Sequence, residues 1–180
     1  MLQIEVPESE YWDNENGQFV LLPAVTLNLE HSLVSLSKWE MKWKKPFLAK
    51  EQKTPEQIVD YIKCMTITQN VNPEVYTRLS RENYTQVQEY IADPMTATWF
   101  SKNQQKQQSR KVITSERIYS WMITAGIPFE CQKWHLNRLL TLIQVCNIEG
   151  QPPKKMSKNE LYSRNSALNA ARRGKLNSRG

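Results

Sequence analysis

The 180-residue sequence has few of the residues from which active sites and phosphate-binding loops are built. It contains only two histidines and five glycines. It has no glycine-rich phosphate loop and no nucleophile elbow, and its scattered acidic residues form no recognisable catalytic pair. A serine–histidine–aspartate site is conceivable from composition alone, but no spacing supports one. The sequence therefore predicts a protein that is not an enzyme and uses no cofactor.

Cysteine is also scarce, and its pattern argues against disulfides. The three cysteines, Cys64, Cys131 and Cys146, are an odd number, whereas secreted disulfide frameworks have a denser and even set. Cys131 and His135 lie four residues apart on a predicted helix, which would suit two metal ligands. No second pair completes a zinc site. We interpret these residues as buried thiols and a packed histidine, and expect no metal.

Long apolar runs are absent as well. The first seven residues lack the basic segment and the apolar core of a signal peptide. The most apolar region, residues 136–146, is interrupted by polar side chains and is much shorter than the roughly 18 residues of a membrane span. We therefore expect a cytoplasmic protein without a membrane partner.

Positive charge is concentrated in the last thirty residues. Residues 151–180 contain eight Lys and Arg against one Glu, whereas residues 1–150 contain sixteen basic and seventeen acidic side chains. The basic residues of this tail include Lys154, Lys155, Arg172 and Arg173. The tail could contact nucleic-acid phosphates, pair with an acidic helical partner or form a solvated helix, and its charge density argues against the last. It has one aromatic residue, Tyr162, so sequence-specific readout of nucleic acid is not indicated.

The hydrophobic periodicity changes near residue 30. Alternating apolar residues over 2–6 predict a strand, and the polar run at 13–17 predicts a turn. Residues 19–22 and 25–29 predict further short strands, so we expect a β-hairpin or small β-meander over 1–30. These strands could pair within the chain or across subunits, which leaves self-association open. Beyond residue 30, apolar residues recur every three or four positions, which predicts a mainly α protein with a helical core domain over 31–150.

Capping residues and prolines predict the helix boundaries. A helix begins near His31 and ends at Lys45-Pro46, because the residue before proline disfavours helical geometry. Thr54, followed by proline and by glutamine three positions later, predicts the start of the second helix. Further helices are predicted over 115–125 and from Pro128 to Gly150.

Two further segments differ from the helical core: an internal polar segment and the C-terminal tail. Residues 101–111 contain no apolar side chain, which predicts an exposed loop. The tail over 151–180 begins with a stiff pair of prolines, and Ser157 and Glu160 have the spacing of a capping box. The tail is therefore predicted to form a basic helix that ends near Gly174.

Four tryptophans are candidates for partner contacts. Trp39 and Trp43 lie four residues apart, flanked by lysines at positions 38, 42, 44 and 45. One interpretation is a core-facing stripe with lysine stems along its margins. The other is a docking surface, because tryptophan is enriched at interface hot spots. Trp121 and Trp134 lie in the later predicted helices and are candidates for the same reason.

Five segments resemble a family of siphophage tail assembly chaperones. They are LEHSLVSLSKWE at 29–40, followed by Lys42 and Trp43; DPMTAT at 93–98; IPFECQKWHLNRL at 127–139; PPKKMS at 152–157; and the run at 165–173. These strings are long and unusual in composition. The resemblance extends over most of the chain from about residue 27.

The resemblance implies a role in building the tail of a double-stranded DNA phage. It implies that the protein binds the tape measure protein in the host cytoplasm, and it leaves binding to other tail proteins open. The tape measure protein would be kept soluble and extended while tube subunits polymerise around it, after which the chaperone leaves. The resemblance also implies that this chain could be the shorter product of a frameshifted gene.

Two other functions remain open from the sequence. The strand-rich first thirty residues suit a structural component of the virion or tail, in which sheet edges pair between subunits. The basic tail suits an accessory protein that binds nucleic acid through phosphate contacts. The missing catalytic residues favour all three binding functions over an enzyme.

Overall fold

The computed structural model describes residues 1–14, 17–100, 112–150 and 157–176. The described chain is mainly α-helical, which confirms the predicted class. It divides into two compact units, Met1–Cys146 and Asn147–Gly180. None of the helices in the described ranges has the length and hydrophobicity needed to cross a membrane. The predicted loop over 101–111 lies outside the described residues.

The elements follow one another in a simple order. Four strands come first: β1 (Leu2–Val6), β2 (Ser9–Asp13), β3 (Gln18–Leu22) and β4 (Val25–Leu29). The helices are α1 (Leu33–Trp43), α2 (Pro55–Met65), α3 (Arg81–Ala92), α4 (Ser115–Thr124), α5 (Leu136–Glu149) and α6 (Lys158–Leu176). Two short 3-10 helices, Pro73–Thr77 and Phe129–Lys133, precede α3 and α5 respectively.

The four strands form one long β-hairpin whose ladder is interrupted in the middle, rather than a meander. In the proximal half β1 pairs with β4, and in the distal half β2 pairs with β3, both antiparallel. The register is the same throughout, because Val6 pairs with Val25 and Ser9 then pairs with Leu22. Pro7 and Pro23 lie in the interruption, where proline cannot donate a ladder hydrogen bond. The structure thus adds β2, a strand that the sequence analysis did not predict.

The core of the first unit lies between the proximal half of the hairpin and helices α1 to α5. One face of the proximal half is fully buried and contributes Ile4, Val6, Leu27 and Leu29. The helices bury their apolar stripes against it, through Leu33, Leu36, Trp39, Ile62, Met65, Ile118, Met122, Leu136 and Leu139. This alternation in the strands and spacing in the helices is the pattern that predicted them.

Local capping explains why α1 and α2 begin where they do. Ser32 accepts a hydrogen bond from the backbone N–H of Ser35, whose side chain accepts one in return, so α1 has a capping box. Thr54 and Gln57 form the predicted capping box of α2. Lys44, with a φ of 52°, ends α1 in the left-handed region, one residue before the predicted Lys45-Pro46 boundary.

The predicted helix from Pro128 to Gly150 is wrong at its start. Residues 129–133 form a 3-10 helix, Trp134 is extended, and α5 begins only at Leu136. The reason is a tertiary contact: His135 forms an isolated β-bridge with Ser32, and the Leu136 N–H donates to the His31 carbonyl over 2.7 Å. Cys131 and His135 therefore do not share a helix face.

A buried carboxylate fixes the start of α4. Thr114 makes no side-chain capping hydrogen bond. Instead, Glu40 of α1 accepts from the Ser115 N–H with one oxygen, over 2.7 Å, and from the Phe47 N–H with the other, over 2.8 Å. A carboxylate is favourable at a helix N-terminus, where backbone N–H groups are otherwise unpaired. Glu40 thus caps a helix that lies 75 residues away in sequence.

Candidate protein-binding surfaces

Trp39 belongs to the core and not to a docking surface. Its side chain is only 2% exposed. The indole N–H donates to the Gln57 carbonyl over 2.9 Å, and the Phe47 ring lies edge-on with its centroid 5.1 Å away. The candidate contact at Trp39 is therefore corrected to a structural role, which is to join α1 to α2.

Trp43 is half-buried at the edge of the same contact. Its ring stacks on Trp39 with a centroid separation of 6.1 Å, and its N–H donates to the Asp60 carboxylate over 3.0 Å. Lys42 forms an ion pair with the same carboxylate. The hydrogen bond that the Lys42 ammonium donates to Asp60 raises the pKa of Lys42. The core-facing stripe with lysines at its margin is the interpretation that this geometry favours.

Trp121 and Trp134 lie nearer the surface. Trp121 is half-buried against the core, with the Arg117 guanidinium 5.9 Å from its ring centroid. Trp134 is an exposed side chain, and the Arg138 guanidinium lies 4.4 Å from the centre of its ring. Both arrangements are within cation–π range. Of the four predicted tryptophans, Trp134 presents the most surface to a partner.

An apolar cleft of about 280 Å³ opens between α2 and α3. Its volume is just below the roughly 300–1,000 Å³ typical of small-molecule pockets, so it suits the side chains of a partner. The lining is apolar apart from Lys53 and Gln88, and consists of Phe47, Ile58, Tyr61, Ile62, Tyr84, Val87 and Ile91. Burial lowers the pKa of Lys53, whose ammonium lies 4.4 Å from the Phe47 ring centroid. A groove between two helices is the usual receptor for the apolar face of a third.

The distal half of the hairpin carries a second apolar surface. Trp12, Phe19 and Leu21 are 49%, 70% and 58% exposed. Trp12 pairs with Phe19 across the ladder, with ring centroids 4.9 Å apart, and Leu21 follows two residues later on the same face. We call these three residues the distal apolar face.

Arg78 holds the hairpin where its two halves meet. One guanidinium nitrogen donates to the carbonyls of Pro7, Leu22 and Pro23 at 3.0, 3.2 and 3.4 Å. These carbonyls lie at or beside the interruption between the two ladders. Arg78 thereby fixes the direction in which the distal half leaves the core.

A buried polar cluster lies where β4 leads into α1. The His31 Nδ1 and the Tyr61 hydroxyl are 2.7 Å apart, and the His31 and His135 ring centroids are 5.1 Å apart. The Asn137 N–H donates to His135 Nδ1, so His135 Nε2 carries the proton and donates to the Tyr90 carbonyl over 3.0 Å. Burial, with a smaller contribution from His135, lowers the pKa of His31 to about 4. His31 is therefore neutral at physiological pH.

The same cluster contains His135, whose spacing from Cys131 in the sequence would suit a metal ligand. Both ring nitrogens of His135 have protein partners, and Cys131 lies on the separate 3-10 helix. The described ranges contain no group of three or more His, Cys, Asp or Glu side chains placed to bind a metal ion.

Helix α6 presents the basic residues of the tail. Ser157 and Glu160 form the predicted capping box, with Ser157 N–H donating to the Glu160 carboxylate over 2.8 Å. The helix continues past Gly174 to Leu176, two residues beyond the predicted end, and all of its side chains are exposed. Arg172 and Arg173 lie in its last turns. Lys154 and Lys155, the other two predicted contacts of the tail, lie outside the described residues.

Comparison with known proteins identifies no relative: the sequence matches no family model and no curated protein, and the structure matches no solved structure.

Neither the cleft nor the distal apolar face was predicted from the sequence. The cleft joins residues of two helices with a connecting segment, and no local pattern indicates such a meeting. One local pattern in the sequence could have indicated the distal apolar face. Trp12 and Phe19 flank the predicted turn at 13–17, an arrangement in which cross-strand aromatic pairs form.

Proposed function

We propose that this protein is a phage tail assembly chaperone that binds the tape measure protein in the host cytoplasm. The observation that carries the proposal is the set of segments at 29–43, 93–98, 127–139, 152–157 and 165–173, which resemble that family. No catalytic function competes, because the sequence contains no recognisable active-site motif. The protein acts by binding and not by turnover.

The cleft between α2 and α3 is the proposed contact with the client. A long helical protein is insoluble when the apolar stripe of its helices is exposed to water. Apolar side chains of such a stripe enter the cleft between Ile58 on α2 and Tyr84 and Ile91 on α3. The exposed Trp134 and the basic tail are proposed as additional contacts.

Weak single contacts are sufficient for this role. One small cleft buries little area, so one copy binds weakly, whereas many copies along a long client exclude water from most of its apolar surface. Weak contacts also dissociate readily, so tube subunits can replace the chaperone as they polymerise. The protein would then be absent from the finished particle.

Co-expression with the tape measure protein of the same phage tests the proposal. We expect the client to be recovered in the soluble fraction with the wild-type chain and to aggregate without it. Tyr84→Glu places a charge in the cleft and should abolish this rescue. Thr85→Glu, on the exposed side of the same helix, is the matched control and should retain it. Circular dichroism establishes that both variants are folded.

Two results would contradict the chaperone function. One is a client that is equally soluble with and without this chain. The other is stoichiometric recovery of the chain from purified virions by mass spectrometry, which would identify a structural tail component instead. If Tyr84→Glu rescues the client as well as the wild-type chain does, the function stands and the cleft is not the contact.

A second candidate function is nucleic-acid binding through the basic tail. The exposed cations of α6, Arg172 and Arg173 among them, favour it. In that case affinity for duplex DNA falls steeply as salt rises, and deletion of residues 151–180 abolishes it. DNA affinity that survives the deletion would exclude this candidate.

A further inference from the structure

The distal apolar face continues a face that is buried in the proximal half. Side chains two residues apart along a strand share a face, and the hairpin keeps its register across the interruption. The face formed by Ile4 and Leu27 in the core is thus the one that carries Trp12, Phe19 and Leu21 further along. Helices cover the first part, but the distal part is exposed. An apolar surface on an exposed two-stranded ribbon is a site for a partner.

The charge around this face selects a basic partner. Residues 1–30 contain no Lys or Arg, and their six acidic residues are Glu5, Glu8, Glu10, Asp13, Glu15 and Glu30. Glu10 lies on the distal apolar face itself, directly opposite Leu21 in the ladder. Two such hairpins would repel one another if they met face to face. The complementary partner combines apolar side chains with positive charge.

Helix α6 of the same sequence has these two properties. It contains five Lys and Arg against one Glu, and none of its nineteen residues is buried. Leu161, Leu168 and Arg172 are spaced by seven and four residues, so they lie on one face. At 1.5 Å per residue α6 is roughly 28 Å long, and a five-residue ladder is about 17 Å long. One α6 helix can therefore cover the whole distal half.

We propose that the distal apolar face of one copy of this protein binds helix α6 of a second copy. Leu161 and Leu168 pack on Trp12, Phe19 and Leu21, while Arg172 and Arg173 approach the acidic side chains of the hairpin. The two contact surfaces differ, so the contact is heterologous. Each copy can therefore bind one neighbour through its hairpin and another through its α6 helix. The association does not involve the cleft, but it uses the α6 helix that is also proposed as an additional contact with the client.

Analytical ultracentrifugation of the full chain over a range of concentrations tests this contact. We expect reversible association that weakens as salt rises, because part of the attraction is between exposed charges. Phe19→Ser/Leu21→Ser should raise the dissociation constant by about tenfold or more, as loss of interface anchors does. Arg172→Glu/Arg173→Glu should have a similar effect. All four positions are exposed, so the fold of each chain should persist.

A charge exchange identifies the partners. The variant Arg172→Glu/Arg173→Glu, mixed with Glu8→Lys/Glu10→Lys, should associate, whereas each variant alone should not. Met41→Ser and Arg81→Glu remove an exposed apolar side chain and an exposed cation elsewhere, and should leave association unchanged.

Several results would overturn the proposal. A wild-type chain that is monomeric at every concentration excludes the contact. Association that survives the Phe19→Ser/Leu21→Ser changes places it on another surface. Failure of the mixed charge variants to associate, when each alone has lost association, means that α6 and the hairpin do not meet.

Discussion

The proximal and distal halves of the N-terminal hairpin have the same register and nearly opposite surroundings. In the proximal half, Ile4 and Leu27 are fully buried beneath the helices. In the distal half, Phe19 and Leu21 lie on the continuation of that face and are exposed. Strand formation in both halves follows from cross-strand pairing. Burial depends on whether another element covers the face, so apolar alternation predicts a strand but not its depth.

The largest expected contrast between the halves comes from one leucine in each. Leu27→Ala removes a fully buried side chain and should lower the free energy of unfolding by about 2–5 kcal/mol, because a cavity is left in the core. Leu21→Ala makes the same chemical change at an exposed position and should cost no more than about 0.5 kcal/mol. Urea unfolding followed by circular dichroism measures both values.

Equal losses of stability in the two variants would remove the distinction between the halves. Such a result would mean that another part of the folded chain covers the distal half. The site proposed for a second copy would then already be occupied.

The second prediction concerns the pH dependence of stability near the proximal half, because His31 lies two residues after the end of β4. Its pKa is about 4 when folded and 6.5 when unfolded. The stability that neutral His31 contributes is complete above pH 6.5 and declines as the pH falls to 4, since the unfolded chain binds the proton first. The total loss should be on the order of 3 kcal/mol. Most carboxylates stay ionised between pH 6.5 and 5, so that interval is diagnostic.

Thermal unfolding in this interval measures the effect, and His31→Gln is the control. The variant should be less stable at neutral pH, because it loses the contact between His31 and Tyr61, but its profile from pH 6.5 to 5 should be flatter. If the wild-type and variant profiles are parallel, His31 does not titrate with unfolding.

The smallest expected effect concerns the connection between the halves. Arg78→Ala removes hydrogen bonds to the Pro7, Leu22 and Pro23 carbonyls and should cost roughly 1–2 kcal/mol. Amide hydrogen exchange should accelerate in β2 and β3 while β1 and β4 stay protected. Arg78→Lys keeps the charge without the planar guanidinium and should be intermediate. Uniform acceleration in all four strands would show that the halves do not open separately.

Much of the fold could be predicted from local patterns. Thr54 and Gln57 formed the expected capping box, Gly126 ends α4 with a φ of 66°, and Ser157 with Glu160 begins α6. Each depends on residues close in sequence, so the sequence alone contains the information. The candidate surfaces could not be predicted in this way. Tyr84, Ile58 and Phe47 line one cleft only because α2, α3 and the segment between α1 and α2 pack together.

Local sequence patterns specify the mainly helical class, most helix boundaries, and the separation of a nearly neutral body from a basic tail. Those features depend on periodicity, capping and composition. Packing between distant elements buries Trp39 in the core, places Glu40 at the start of α4, and delays the start of α5 through the bridge between His135 and Ser32. The physical reason is that burial and distant hydrogen bonds depend on which elements meet, and local sequence does not specify that meeting.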